Sequence, residues 1–461
     1  MPGRGGVGAD GGLLGYNGRH WKTGDRGHVK VKDKSFEEDG QTREAVLTIT
    51  ASAEEVDAAA KAFFKELGQR DVPGFRKGKA PREVLEQGVG GHENAMGGVA
   101  EKLINEGAFA AIDEADVIFI EEPQFNVDVM PEDGKPFTFT VSGAVAPEMT
   151  LASYEPVQIK MPPEDPTDAE VEQGIADIQD YYHTLDKIED ADHVAAMGDY
   201  VDTRLTVTNH GKLVSGMNNV SRMVGLGAGT MPASFDEHLV GAKVGDILEF
   251  DFEAKDDEGN SEHGDGELHA KVEVCGFRAL NLPAVDDELA VKVGCMDVDD
   301  MRSQVRRNIG MQKAEQLPRL KVDRAADAIA ERLAGDVPEY YVDFIRQDVG
   351  QELVHDLEEQ GTNLQQWMLQ NSIQADQMKE DVNREALRRA AIDCALEAVF
   401  AHEKMEVTDA DIQQLFEGED DAEEKLASWA EANRMANLRK MARQRKATQW
   451  LVDNAVVETE E

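Results

Sequence analysis

From Pro283 to the C-terminus, apolar residues recur at helical spacing almost without interruption. Val298, Met301, Val305 and Ile309 form one stripe. Val322, Ala326, Ile329 and Leu333 form a second, and Val342, Ile345, Val349 and Leu353 a third. Steps of three and four residues place these side chains on one face of a helix and are incompatible with strand alternation. Residues 283–461 are therefore expected to be an all-helical domain. Thr408-Asp-Ala-Asp411 serves as a capping box for a late helix carrying Ile412, Leu415 and Phe416. The helices share no repeat length, which argues against a solenoid.

Upstream the period changes. Between residues 196 and 282, glycine turns separate short alternating strands at 201–208, 248–252 and 268–274. Leu248, Phe250 and Phe252 share one face. With a short helix near 235–240, residues 191–282 read as a small antiparallel half-barrel. Residues 151–190 form a linker in which Pro156, Pro162, Pro163 and Pro166 space an extended stretch. Thr167-Asp-Ala-Glu170 then caps a helix with Val171, Ile175, Ile178, Tyr182 and Leu185 on one stripe.

Residues 42–150 read as a compact α+β domain. A β-branched strand at 45–50 leads into the capping box Ser52-Ala-Glu-Glu55 and a helix burying Val56, Ala60, Phe63, Phe64 and Leu67. Pro73-Gly74 breaks the chain. Helices follow at 81–87 and about 93–115, then strands at 117–129 and 137–145 joined by the turn Pro131-Glu-Asp-Gly134. The first 28 residues contain ten glycines and no apolar signal-peptide core, so 1–41 is expected to be a disordered glycine-rich tail. The fold class is thus multidomain α+β.

Charge narrows the partners. The 461 residues include 92 acids and 48 bases, a net charge of −44. Such a chain is repelled by phosphate backbones unless its bases are locally concentrated. The three cysteines, Cys275, Cys295 and Cys394, are widely spaced and form no disulfide framework, which favours a reducing cytoplasm. No run of about 18 apolar residues is present to span a membrane. The sequence lacks a P-loop, GxSxG and HExxH, so it offers no nucleotide site and no hydrolytic centre. His193, His263 and His269 do not have metal-ligand spacing, and neither a metal nor a cofactor is expected.

One segment departs from this acidity. Between Lys61 and Arg82 stand seven bases (Lys61, Lys65, Arg70, Arg76, Lys77, Lys79, Arg82) and two acids (Glu66, Asp71), a local charge of +5. Gly74 and Gly78 bracket Phe75-Arg76-Lys77 at a tip between two helices. Cations around an exposed ring suit RNA, neutralising phosphates while the ring stacks or fills a pocket; a merely solvated basic turn is the alternative. A second basic run, Arg434, Arg439, Lys440, Arg443, Arg445 and Lys446, is read as a helix face paired with the acidic stretch 417–424 rather than as an RNA site.

Pro-Gly-Phe-Arg-Lys-Gly-Lys-Ala-Pro at 73–81 resembles the ribosome-docking signature of the trigger factor family, with similarity extending through 52–87 and, more weakly, through 42–455. The resemblance implies an ATP-independent chaperone. Its N-terminal domain (42–150) would bind the large ribosomal subunit, both protein and rRNA, near the exit tunnel. Its helical C-terminal domain (283–461) would form arms that shield nascent and unfolded polypeptides, with 151–190 extending that body. Gly74, Phe75, Arg76, Lys77, Gly78 and Lys79 are the implied ribosome-binding residues.

The middle segment resembles the family's FKBP-like peptidyl-prolyl isomerase module through Gly198-Asp-Tyr-Val, 225–229, Met231-Pro232, Phe235, 240–246 and Phe250-Asp-Phe252. Such a module lowers a rotation barrier of about 18–20 kcal/mol by holding the proline peptide twisted in an apolar pocket. Leu205, Met231, Phe235, Phe250 and Phe252 are the implied pocket residues. Several departures point either to weakened activity or to a degenerate module that only adds binding surface. Leu205 replaces an aromatic, Ala233-Ser234 replaces a glycine, Ala270 stands where another ring is expected, and the loop 255–267 is acidic and lacks an aromatic. A prolyl isomerase acting off the ribosome and an RNA-binding protein are the alternative functions.

Overall fold

The computed structural model describes residues 29–38, 42–190, 192–209, 211–214, 216–253, 267–371, 373–419 and 421–460. The chain divides into two compact units, one of 1–159, 322–367 and 375–457, the other of 160–321, 368–374 and 458–461.

The first unit begins with β1 (Lys30–Glu38), β2 (Arg43–Ala51), α1 (Ala53–Leu67), α2 (Arg82–Gly88), α3 (His92–Glu114), β3 (Gln124–Asn126) and β4 (Phe137–Ala144). The strands form one antiparallel sheet in the order β1-β2-β4-β3. Its inner face carries Ala45, Leu47, Ile49, Phe137, Phe139 and Val141, all buried. Against it pack Val56, Ala59 and Ala60 of α1 and Met96, Val99 and Leu103 of α3. Ser52 and Glu55 close the expected capping box at the start of α1.

Two expectations fail here. Residues 30–38 are not a tail but the edge strand β1, paired with β2 from Lys30↔Thr50 to Glu38↔Arg43. The alternation of Val29 and Val31 with Lys30 and Lys32 is short and directly follows the glycine-rich stretch, so the strand signal is weak in the sequence. Val29 is buried, packed where a side chain on Gly107 would otherwise sit. The rest of the expected tail, 1–28 and 39–41, lies outside the described residues. The strand expected at 117–129 shrinks to the three residues of β3, preceded by a single bridge from Phe119 to Val145. Pro123 lacks an N–H to extend the ladder, which limits it.

Next come β5 (Gln158–Met161), α4 (Asp168–Tyr181), β6 (Thr184–Lys187), β7 (Asp199–Asn209), β8 (Lys212–Leu213), β9 (Val220–Gly225), α5 (Ala233–Leu239), β10 (Ile247–Glu253), β11 (Glu267–Asn281), α6 (Asp287–Val293) and α7 (Val298–Ala330). Strands β10-β11-β7-β8 run in that order, with β6 added on β11 and β9 on β7. The sheet closes over Leu205, Leu226, Phe235, Leu239, Phe252 and Phe277. Val171 and Ile175 of α4 form a separate small core with Leu289, Ala290 and Met301. Leu185 does not continue the α4 stripe. The helix stops at Tyr181, and Leu185 pairs with Leu280 in β6.

The remaining elements are α8 (Glu339–Glu359), α9 (Leu364–Gln370), α10 (Ala375–His402), α11 (Asp409–Gln413), α12 (Ala422–Glu431), α13 (Met435–Asn454) and β12 (Val456–Thr459). In the first unit, Tyr341 and Val342 of α8 pack on Ala386, Ala390 and Cys394 of α10. A polar knot sits within this packing. The Tyr341 hydroxyl donates to the Asp393 carboxylate, which also accepts from Lys440 Nζ at 2.9 Å and from Gln444 Nε2. The segment before residue 160 is tied to the helical part of the same unit. Ala152 N–H donates to the Arg332 carbonyl (2.7 Å) and Val456 N–H to the Val157 carbonyl (2.8 Å). Among the described residues, no helix is long and apolar enough to cross a membrane, and no group of three His, Cys, Asp or Glu side chains is placed to hold a metal.

Candidate functional site

Helix α1 ends at Leu67, and two successive tight turns carry the chain to α2. In the first, Phe75 N–H donates to the Val72 carbonyl (3.1 Å), with Pro73 and Gly74 at the corner. Gly74 has φ +85°, so the Pro-Gly pair meets the demand of a type II turn for a positive φ at its third position. In the second, Lys79 N–H donates to the Arg76 carbonyl (2.9 Å), with Gly78 at φ +73°. Gly78 N–H also donates to the Gly68 carbonyl at 2.7 Å, which fastens the loop to the end of α1.

These turns push the tip into solvent. Phe75 is 43% exposed, and Arg76, Lys77 and Lys79 are exposed beside it. Lys77 lies 3.4 Å from Asp71, an exposed pair of little energetic worth. Among the described residues, neither Arg76 nor Lys79 has an ion-pair partner. The loop therefore presents one ring and three cations on a backbone fixed by its own hydrogen bonds.

The seventh base of the cluster behaves differently. Arg82 lies at the start of α2, half-buried, with its guanidinium bonded to Glu86 and Asp133. The i,i+4 spacing of Arg82 and Glu86 was readable in the sequence; the partnership with Asp133, on a distant turn, was not.

Most of the second basic run is paired within the fold. Arg439 pairs with Asp116 (2.7 Å), Arg443 with Asp116 and Glu397 (2.8 and 3.0 Å), Lys440 with Asp393, and Lys446 with Asp411 (3.0 Å). Arg445 donates to the Gln414 carbonyl, and Arg434 lies over the Trp429 ring. These partners are not the acidic stretch 417–424, where Glu419 and Asp421 instead hold Lys425. Nearest acids in sequence proved a poor guide, because α13 packs its basic face on α3 and α10.

The implied pocket residues of the half-barrel lie together in one core. Leu205 and Phe235 are fully buried, Phe250 and Phe252 nearly so, and Met231 is half-buried. The Phe235 ring meets Phe250 and Phe252 edge-on at 5.2 and 5.1 Å. Ala270 is buried and pairs with Phe250 across the ladder, so no ring projects there. Of the expected acidic loop 255–267, residues 255–266, His263 among them, lie outside the described residues, and Glu267 begins β11. His193 is held by Asp199 and His269 by Asp251, each at 2.7 Å.

The family profile for the bacterial trigger factor protein matches residues 33–178, and that for the bacterial trigger factor C-terminus matches 297–453. The trigger factor of Staphylococcus epidermidis is 27% identical over 377 residues, covering 81% of this chain and 86% of that protein. That of Desulforamulus reducens is 27% identical over 420 residues, covering 89% and 95%. A solved trigger factor chaperone structure aligns with 91% of this chain and 99% of its own at 20% identity and a TM-score of 0.38. The fold class is that of a multidomain α+β chaperone. The chain belongs to the trigger factor family of ribosome-associated chaperones.

Proposed function

We propose that the loop 73–81 is the docking element, with Gly74 and Gly78 shaping it and Phe75, Arg76, Lys77 and Lys79 touching protein and rRNA of the large subunit near the exit tunnel. One observation carries this reading: an exposed ring beside three exposed cations, of which Arg76 and Lys79 have no ion-pair partner among the described residues, on turns locked by backbone hydrogen bonds, in a chain of net charge −44. Residues 42–150 are the ribosome-binding domain in this reading, and residues 283–461 with the linker 151–190 are the body that shields nascent and unfolded chains in the cytoplasm. Release needs no nucleotide, because weak apolar contacts reverse on their own. Free-RNA binding is disfavoured, since four of the six bases in the second run, Arg439, Lys440, Arg443 and Lys446, are already paired with carboxylates. A photoreactive phenylalanine analogue at position 75 should crosslink to large-subunit components in salt-washed ribosomes. Crosslinks to the small subunit alone, or none, would remove the loop from the interface.

Residues 191–282 are proposed to act as an FKBP-like isomerase of weak turnover, centred on Leu205, Met231, Phe235, Phe250 and Phe252. The rings pack edge-on against one another and are almost fully buried, which supports low turnover. The full chain should speed a proline-limited refolding reaction only a few-fold at concentrations equal to its client. No acceleration at any concentration would reduce the module to a binding surface.

A further inference from the structure

Resting on the docking reading above, we propose that Arg82 is a positioning residue for the loop 73–81 rather than one of its phosphate contacts. It stands one residue past the loop, and each of its guanidinium nitrogens is committed. Nε donates to Glu86 Oε1 at 2.8 Å, Nη1 lies 2.7 Å from Asp133 Oδ2, and Nη2 reaches the Met96 sulfur at 3.6 Å. The guanidinium carbon lies 4.3 Å from the centroid of the Phe64 ring. One side chain thus joins α1 (Phe64), its own helix α2 (Glu86), α3 (Met96) and the turn before β4 (Asp133).

The loop has two ends, and both are fixed. Gly78 is tied to Gly68 at the end of α1, and Arg82 holds the start of α2. A loop held in its bound shape loses less conformational freedom on docking, so a tie that touches no ribosomal atom still raises affinity. Glu86 shares the arrangement. Its hydrogen bond from Arg82, aided by His92, holds its carboxyl below the usual glutamate range. A planar fork bonded in three directions cannot be replaced by the single ammonium of lysine, although the charge is the same.

The positioning and phosphate-contact roles predict opposite results. A phosphate contact tolerates Arg82→Lys, and its removal lowers the slope of log affinity against log salt by about one. A positioning role predicts that Arg82→Lys weakens ribosome binding several-fold and leaves that slope unchanged, while Arg76→Ala and Lys79→Ala each lower it. Asp133→Ala adds a test of sign. It deletes an acid near the loop, so charge alone predicts tighter binding, whereas loss of the tie predicts weaker binding. The experiment is a ribosome-binding titration of the full-length variants over a series of salt concentrations, with thermal unfolding to verify each fold. Weaker binding by both Arg82→Lys and Asp133→Ala at unchanged slope is the expected result. Wild-type affinity for Arg82→Lys, or tighter binding by Asp133→Ala, overturns the positioning role. Failure of the wild type to bind at all, by contrast, overturns the docking reading itself.

Discussion

Phe75 keeps 43% of its surface in solvent although it is flanked by turns that could have folded it inward. Truncating it should therefore cost little stability and much binding. Phe75→Ala is expected to leave the melting temperature unchanged and to lower ribosome affinity at least tenfold, about 1.4 kcal/mol, as for an aromatic anchor. A shifted melting temperature with intact binding would show that the ring belongs to the core. At this scale the loop was legible, because Pro73-Gly74 and Gly78 specify turns by local chemistry alone. What Arg82 does was not, because its charge is visible in the sequence while Asp133 and Met96 are brought to it only by the tertiary fold.

Helices here are set by caps and buried knots. Glu170 completes the capping box of α4 and also receives Lys313 Nζ at 2.7 Å. The Lys313 bond, aided by the Thr167 backbone, lowers its pKa from the ordinary 4.5. A carboxyl with a depressed folded pKa contributes stability that is present above its unfolded value and is lost as pH falls through the folded one. Glu170→Gln should thus flatten the loss of stability below about pH 4.5, with a cost near neutrality of under ~1 kcal/mol because the carboxylate is partly exposed. An unchanged acid limb would show that the box is not formed.

The knot at Asp393 should cost more to break. Lys440→Met strips a charge partner from a buried carboxylate that retains, among the described residues, Tyr341 and Gln444, an expected loss of about 2 kcal/mol in chemical unfolding. A loss near zero would mean that water replaces the lysine. The capping boxes at Ser52, Thr167 and Thr408 were readable as four-residue signatures. Strand β1 was not, because Val29 just before it is buried only where Gly107 of α3 leaves room, and Val31 within it is only half-buried on the same core. The partners of the α13 bases were likewise set by packing between helices distant in sequence.

For the whole molecule, a net charge of −44 opposes approach to rRNA, while the proposed docking loop, with its exposed cations, would attract it. The two effects act over different distances. Long-range repulsion is screened first as the Debye length falls from about 30 Å at 0.01 M to about 8 Å at 0.15 M salt, whereas contacts at the tip persist longer. Ribosome affinity should therefore rise and then fall as monovalent salt increases at fixed free magnesium. A steady fall from the lowest salt would mean that the acidic surface never faces the ribosome.

The central claim is that the loop at 73–81 anchors this chaperone, and its most direct test is co-sedimentation with ribosomes. Wild type would be compared with Phe75→Ala/Arg76→Ala/Lys77→Ala at two salt concentrations above the affinity maximum. Wild type should pellet with the ribosomes and weaken at the higher salt, and the triple variant should stay in the supernatant with its fold intact. Equal pelleting of the two proteins would contradict the account and place the anchor elsewhere on the chain.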